Sequence, residues 1–286
     1  MTVKIITDST ADLPEAIVRS LGITVVPLKV MFGGNEYRDN IDINADQFYD
    51  KLIVSEGLPT TSQPSVGEFV EVYEEAAINA SGILSIHISA KLSGTYNSAS
   101  LAKSEVSKSC PIELVDTLQA SMGVGLIAIE AAKLANEGAS LEEVHTKTLD
   151  CIARCETFAL LDTLEYLEKG GRLGKAQAMI GNLLKLKPLL KLENGEVHSL
   201  SKERSKLKGI AHLEKIAKGY GSLDGLAILY STTSSDIDSI CNNLRYLLPD
   251  THDPIIARLG PVLGTHTGPG ALGIAILKTQ SGKVNL

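Results

Sequence analysis

The sequence predicts an α/β protein in two parts: an N-terminal α/β domain over residues 1–155 with a mainly parallel sheet, and a C-terminal α+β domain over residues 156–286 with a largely antiparallel sheet. Three observations carry that expectation. Through the first half, short apolar runs alternate with helix-period segments, the order that builds a parallel sheet covered by helices on both faces. Past residue 155 the strand-like runs come closer together and Asn194-Gly195 marks a tight turn between two of them, which favours antiparallel pairing. The 286 residues also exceed the size at which a single core usually keeps growing.

The elements follow in order. Residues 3–7 read as the first strand, and Asp8-Ser9-Thr10-Ala11-Asp12-Leu13-Pro14 as a turn whose proline opens a helix over 15–21. Residues 23–31 read as a second strand, and Gly33-Gly34 turns a hairpin into Asn35-Glu36-Tyr37-Arg38. Helices are expected at 44–55 and 66–79. In the latter, Val66, Phe69, Val70, Tyr73, Ala76 and Ala77 recur at i, i+3, i+4, i+7, with Glu68, Glu71, Glu74 and Glu75 on the other face, so its rings belong to a core. A buried strand at 83–88, a helix to about 106, a strand at 112–115 and helices near 121–136 and 140–154 complete the first half. In the second, strands are expected at 157–161, 186–192, 196–200, 226–230, 255–258 and 271–277, and helices at 162–169, 175–184, 204–218 and 234–247. No repeat, low-complexity tract or flexible linker divides the halves.

Composition narrows the function. With 27 basic and 34 acidic residues, a formal charge of −7, the chain is poorly suited to a nucleic-acid backbone or an anionic membrane surface, and a discrete small ligand fits better. No run reaches the roughly 18 to 20 apolar residues that span a bilayer, so no stable membrane insertion is expected. The opening Met1-Thr2-Val3-Lys4-Ile5-Ile6 lacks a signal-peptide layout, and the expected location is cytoplasmic. Cys110, Cys151, Cys155 and Cys241 make neither a disulfide framework nor a Cys-x-x-Cys metal pair; Cys151 and Cys155 sit four apart in an expected helix, as core or boundary residues.

Two nucleotide motifs fail on context. Gly123-Val124-Gly125-Leu126-Ile127-Ala128 has the spacing of a dinucleotide fingerprint, but Thr117 to Met122 stand between it and the preceding strand. These glycines fall inside a helix that Ser121 can cap, where close helix packing explains them. Gly170-Gly171-Arg172-Leu173-Gly174-Lys175-Ala176 is one residue short of a phosphate loop and lacks its magnesium-binding hydroxyl. No cofactor is expected.

Three polar islands remain: Thr61-Ser62-Gln63-Pro64-Ser65, Leu92-Ser93-Gly94-Thr95-Tyr96-Asn97-Ser98 and Gly264-Thr265-His266-Thr267-Gly268-Pro269-Gly270-Ala271. Each joins hydroxyls to Gly or Pro before an apolar, helix-like run, a way to present backbone and side-chain donors to an anion. The bland readings are a helix cap at Ser93, turn residues at Thr61 and Ser62, and a satisfied boundary histidine at His266. An alternative function is a serine-dependent acyl hydrolase or transferase using Ser93 and His266, with Asp8 as the acid. That chemistry wants the serine on a Gly-x-Ser-x-Gly elbow, whereas the chain offers Lys91-Leu92-Ser93-Gly94-Thr95.

Taken in order, the Asp8-Ser9-Thr10-Ala11-Asp12-Leu13 turn, the first two islands, Tyr166-Leu167-Glu168-Lys169-Gly170-Gly171-Arg172-Leu173, Lys187-Pro188 and His266-x-Gly268-Pro269-Gly270 resemble the DegV family over nearly the whole chain. The resemblance implies a non-catalytic protein that holds a long-chain fatty acid in a buried tunnel and presents its carboxylate to a separate ATP-dependent fatty acid kinase subunit. By the same resemblance, Thr61 and Ser93 match carboxylate-contacting hydroxyls, Ser62 is an adjacent donor, and His266 matches a histidine near the headgroup. Arg172 and Arg204 match basic positions suited to a partner or phosphate contact.

Overall fold

Apolar side chains at Val3, Ile5 and Ile6 suit a strand covered on both faces, and that strand lies at the heart of the first sheet. The computed structural model describes residues 2–55, 57–106, 110–179, 186–232 and 235–280. In chain order the first half runs β1 (Thr2–Asp8), a 3-10 turn (Ser9–Ala11), α1 (Glu15–Leu21), β2 (Thr24–Val26), β3 (Lys29–Phe32), β4 (Asn35–Arg38), α2 (Ala45–Val54), β5 (Thr60–Ser62), α3 (Val66–Ala77), β6 (Ala80–His87), α4 (Thr95–Glu105), β7 (Ile112–Asp116), α5 (Met122–Asn136) and α6 (Leu141–Arg154). The second runs β8 (Cys155–Leu160), α7 (Glu165–Lys169), a 3-10 turn (Gly174–Met179), β9 (Lys187–Glu193), β10 (Glu196–Glu203), α8 (Lys206–Gly219), β11 (Leu223–Tyr230), α9 (Ile237–Leu244), a 3-10 turn (Arg245–Leu247), β12 (Ile255–Arg258), α10 (Pro261–Thr267) and β13 (Leu272–Lys278).

Four strands, in the order β2-β1-β6-β7, form an all-parallel sheet. On one face α3 and α4 bury Phe69, Tyr73, Ala99 and Ala102 against Ile6 and Ile83. Ser65 starts α3 with a reciprocal cap, its hydroxyl accepting from the Glu68 N–H while the Glu68 carboxylate accepts from the Ser65 N–H. A six-stranded sheet, β10-β9-β8-β13-β11-β12, is antiparallel except for the parallel β11–β12 pair. The β9–β10 hairpin turns at Asn194-Gly195, both at positive φ, and β3–β4 turns likewise at Gly33-Gly34.

Helix α5 lies between the two sheets. Its small residues allow that: a Cβ on Gly125 would stand 2.9 Å from the Ala11 carbonyl oxygen, and one on Gly123 would stand 2.3 Å from Thr157 Oγ1. The largest core cluster is continuous through this helix, from Val3, Ile5 and Leu84 on one side to Ala227, Leu229 and Ala275 on the other. Chain connection is equally direct, since α6 ends at Arg154 and β8 begins at Cys155.

Several local expectations are corrected. The apolar run over 23–31 is two strands, β2 in the parallel sheet and β3 in a three-stranded antiparallel sheet, β4-β3-β5, with Pro27 between them. Ser121 stands at the N-terminus of α5 but makes no capping bond; its hydroxyl donates to Asp12 Oδ2 at 2.6 Å. Cys151 and Cys155 do not share a helix, since Cys155 opens β8, and both are free and buried. Of the helix expected over 175–184, residues up to Met179 form a 3-10 turn and the rest lies outside the described residues. Among the described residues, no helix is long and apolar enough to cross a membrane, and no group of three or more His, Cys, Asp or Glu is placed to hold a metal ion.

Candidate functional site

The turns that follow β1, β6 and β7 bring Thr10, Ile88, Ala120 and Ser121 to the carboxyl ends of the parallel strands, where open α/β sheets place their ligands. Here those turns face β8, β9, β11 and β13 of the second sheet, and a cavity of about 130 Å³ lies between. Its walls are mainly aliphatic, with Leu92, Leu161, Leu190, Leu229, Leu259 and Leu272 among them. Thr61, Ser62, Ser93, Arg172 and His266, which the sequence singles out from four distant segments, all border this one cavity. Arg204 does not; it is exposed just beyond the end of β10.

Each polar residue has a local reason for its place. Thr61 is the middle residue of β5, registered opposite Val30 of β3, and its hydroxyl lies 2.9 Å from His266 Nε2. His266 sits in the last turn of α10, whose Pro261 occupies the first helical position. The third polar island therefore ends a helix rather than starting one. A Cβ on Gly264 would press on the Phe48 and Tyr49 rings and one on Gly268 would enter the Tyr166 ring, while Gly268 and Gly270 also take positive φ.

Only 9 % of His266 is exposed, and burial, with the nearby Arg172 charge, pulls its pKa down to about 4, so the ring is neutral at physiological pH. Its Nδ1 faces Gly170 and has no hydrogen-bond partner. A buried orphan N–H is rarer than a buried orphan lone pair, which favours the tautomer protonated on Nε2. Nε2–H then donates to Thr61, and the Thr61 hydroxyl proton is left to point into the cavity.

Ser93 lies in a tight turn in which the Leu92 and Ser93 N–H groups both donate to the Ser89 carbonyl. Its hydroxyl accepts from the Thr95 N–H at 3.3 Å and shares a 2.8 Å bond with the Thr95 hydroxyl; the N-cap of α4 is Gly94, so Ser93 braces the turn before the helix while bordering the cavity. The guanidinium of Arg172 clamps this turn, donating to the Leu92 carbonyl at 3.2 Å and to the Gly170 carbonyl at 2.8 Å. Arg172 thereby ties the Ser93 turn to the segment that supports His266. Gln63 and Thr10 also line the cavity, and the sequence does not single them out. Their one sequence signal is membership of polar turns, Gln63 within the first island and Thr10 within the turn after β1.

A hydrolytic triad is not assembled. Ser93 bonds Thr95, His266 bonds Thr61, and Asp8 bonds a different histidine, His87, at 2.9 Å. That histidine belongs to a chain in which Tyr73 donates to Ser85 at 2.9 Å and Ser85 meets His87 Nε2 at 2.7 Å. All four side chains are fully buried and none borders the aliphatic cavity. The chain braces the turn after β1, because Asp8 also accepts from the Thr10 and Ile88 N–H groups. Beyond that turn lies a cleft of about 580 Å³ whose mixed lining includes Asp8, Asp12, Asp39, Asn40 and Arg258. Burial raises the pKa of Asp12 to about 7 against the pull of its bonds from Ser121 and Gly260, and pushes Asp39 well above the usual carboxylate range.

Comparison with known proteins gives a consistent picture. The model of the uncharacterised DegV protein family matches residues 2–279. A DegV domain-containing protein of Caldanaerobacter subterraneus subsp. tengcongensis is 35% identical, covering 95% of this chain and 97% of its own. Among solved structures, a fatty-acid-binding DegV family protein of Thermus thermophilus superposes with a TM-score of 0.88 at 36% identity, over 98% of this chain and 100% of that one. Bacillus subtilis DegV, a fatty acid binding protein, superposes at 0.87 with 32% identity, over 97% and 100%. With a family match and a fold agreement that each span nearly its whole length, this chain belongs to the DegV family.

Proposed function

We propose that this protein is a non-catalytic carrier that binds a long-chain fatty acid between its four-stranded and six-stranded sheets, with the carboxylate held by Thr61, Ser62 and Ser93 beside His266. The observation that carries this reading is one aliphatic cavity bordered on one side by that hydroxyl and imidazole cluster. A carboxylate leaving water needs charge-assisted donors, and hydroxyls supply them without a permanent ion pair that would resist release. Each buried methylene adds about 0.8 kcal/mol, so a dozen outweigh the headgroup before ordering costs. The cavity's 130 Å³ resembles the ~150 Å³ apolar void that accepts benzene, so a full acyl chain requires the leucine side chains along the walls to turn aside.

The finer reading is that the bound acid is presented to a separate ATP-dependent fatty acid kinase subunit in the cytoplasm, with Arg172 and Arg204 as partner contacts. Both arginines are exposed, and Arg172 borders the cavity beside the Ser93 turn that it clamps. We place the boundary between the two parts, 1–155 and 156–286, at the direct step from α6 to β8.

Lipid extracted from the purified protein and identified by mass spectrometry should include a long-chain fatty acid. Thr61→Val should weaken palmitate binding by roughly 10- to 100-fold, the worth of a hydrogen bond to a charged group, with an unchanged circular dichroism spectrum. A protein that carries no lipid and takes up neither palmitate nor oleate would overturn the reading. Phosphate transfer to the bound acid that needs a co-purified ATP-using subunit tests the presentation step.

A further inference from the structure

The aliphatic wall of the cavity is interrupted at Thr157. Its hydroxyl is buried and has no hydrogen-bond partner, and Thr157 borders the cavity from β8. Behind it stands Gln119, also buried, whose Nε2 donates to the Cys155 carbonyl at 3.2 Å while its Oε1 has no partner. The two oxygens converge on the bare face of Gly123, where a Cβ would stand 2.3 Å from Thr157 Oγ1 and 3.2 Å from Gln119 Oε1. Neither Thr157 nor Gln119 belongs to the cluster around Thr61 and His266, which is built from β5 and α10.

Buried polar groups left unpaired are rare and costly, so an unpaired hydroxyl on the cavity wall, with a second unpaired oxygen behind it, marks a place where the ligand supplies a missing bond. The two groups are complementary to an alcohol. A hydroxyl on the ligand can donate to Thr157 Oγ1, which frees the Thr157 proton for Gln119 Oε1 behind it, or can instead accept a hydrogen bond from Thr157. An unsubstituted methylene chain satisfies neither, and a ketone can only accept.

We propose that the acyl chain this protein selects carries a hydroxyl group, read by Thr157 with Gln119 as its support. The inference rests on the fatty-acid reading above and adds to it the class of acid. It assigns Thr157 a specificity role in the tail region, separate from the carboxylate contacts.

The test is a titration of the full chain with stearate and with a series of hydroxystearates differing in the position of the hydroxyl. One positional isomer should bind about tenfold more tightly than stearate, the scale of one net hydrogen bond gained in a dry site. Thr157→Val, which keeps the β-branched shape, should reverse that order in favour of stearate, and Thr157→Ser, which keeps the hydroxyl, should restore the preference. If no isomer outbinds stearate, the pair is satisfied by water and the proposal falls while the fatty-acid reading stands. A preference that survives Thr157→Val also overturns it. If neither stearate nor any hydroxystearate binds, both readings fall together.

Discussion

Gly170 has an ordinary helical φ of −76°, so nothing in its backbone calls for glycine. The requirement comes from across the fold: a Cβ there would stand 2.3 Å from His266 Nδ1 and 2.9 Å from the Tyr166 carbonyl oxygen. Gly170→Ala must displace the imidazole, and overpacking of this kind costs about 1–3 kcal/mol. We expect a lower melting temperature together with weaker palmitate binding, because the ring that moves is the one bonded to Thr61. Gly171→Ala is the control. Its φ of +69° strains any other residue, but a Cβ would meet open space, so it should lower the melting temperature and leave affinity unchanged. Melts and titrations of both variants separate the two causes. At this scale the sequence is only partly legible. Hydroxyls beside Gly and Pro mark Thr61 and Ser93 as donors, but no spacing rule joins Thr61 to a histidine 205 positions away; the family resemblance does that, and chain closure explains it. Thr157 carries no mark at all, since a β-branched residue in an apolar run reads as an ordinary strand former.

At the scale of elements, the same substitution is expected to act with opposite sign in two helices. Gly67 lies exposed in the first turn of α3, and a Cβ added there would meet nothing within 4 Å, so Gly67→Ala gains helix propensity without a clash. A stabilisation of up to about 1 kcal/mol should follow, visible as a raised denaturation midpoint. Gly209 in α8 lets the helix rest on β8, and a Cβ there would stand 2.4 Å from Leu160 Cδ1. Gly209→Ala should destabilise by about 1–3 kcal/mol despite the same gain in propensity. Periodicity locates both helices because each buries one stripe, yet the period is silent on what the stripe meets. The split of the apolar run 23–31 has the same origin. Alternation and apolarity identify extended chain, but whether β2 and β3 share a sheet is decided by partners, and β3 pairs with β4 and β5 while β2 pairs with β1.

Across the whole molecule, two buried groups make opposing demands on pH. Asp12 holds its proton up to about pH 7 in the folded state, against 3.8 in the unfolded chain. Its contribution is fully present below pH 3.8 and is lost as pH rises through about 7, on the order of 4 kcal/mol in all. His266 resists protonation down to about pH 4, against 6.5 unfolded, so its contribution is present above 6.5 and is lost as pH falls through about 4, about 3 kcal/mol. Between roughly pH 4 and 6.5 the two slopes cancel, and each single variant should unmask the other group. Asp12→Asn suits this test because asparagine tolerates the φ of +50° at this position. Its carbonyl can still accept from Gly260 N–H, and its amide can donate to the Ser121 hydroxyl. Relative to the parent, that variant should lose stability on acidification from pH 6.5 to 4. His266→Gln should do the reverse, gaining stability relative to the parent over the same range. Urea denaturation at half-unit pH steps measures both differences, and the carboxylates not coupled to either site drop out because each variant is compared with its parent; Asp39, raised in part by the Asp12 charge, is the exception in Asp12→Asn. Parallel pH profiles for Asp12→Asn and the parent would show that the cleft beside the first turn admits enough water to leave Asp12 ionised.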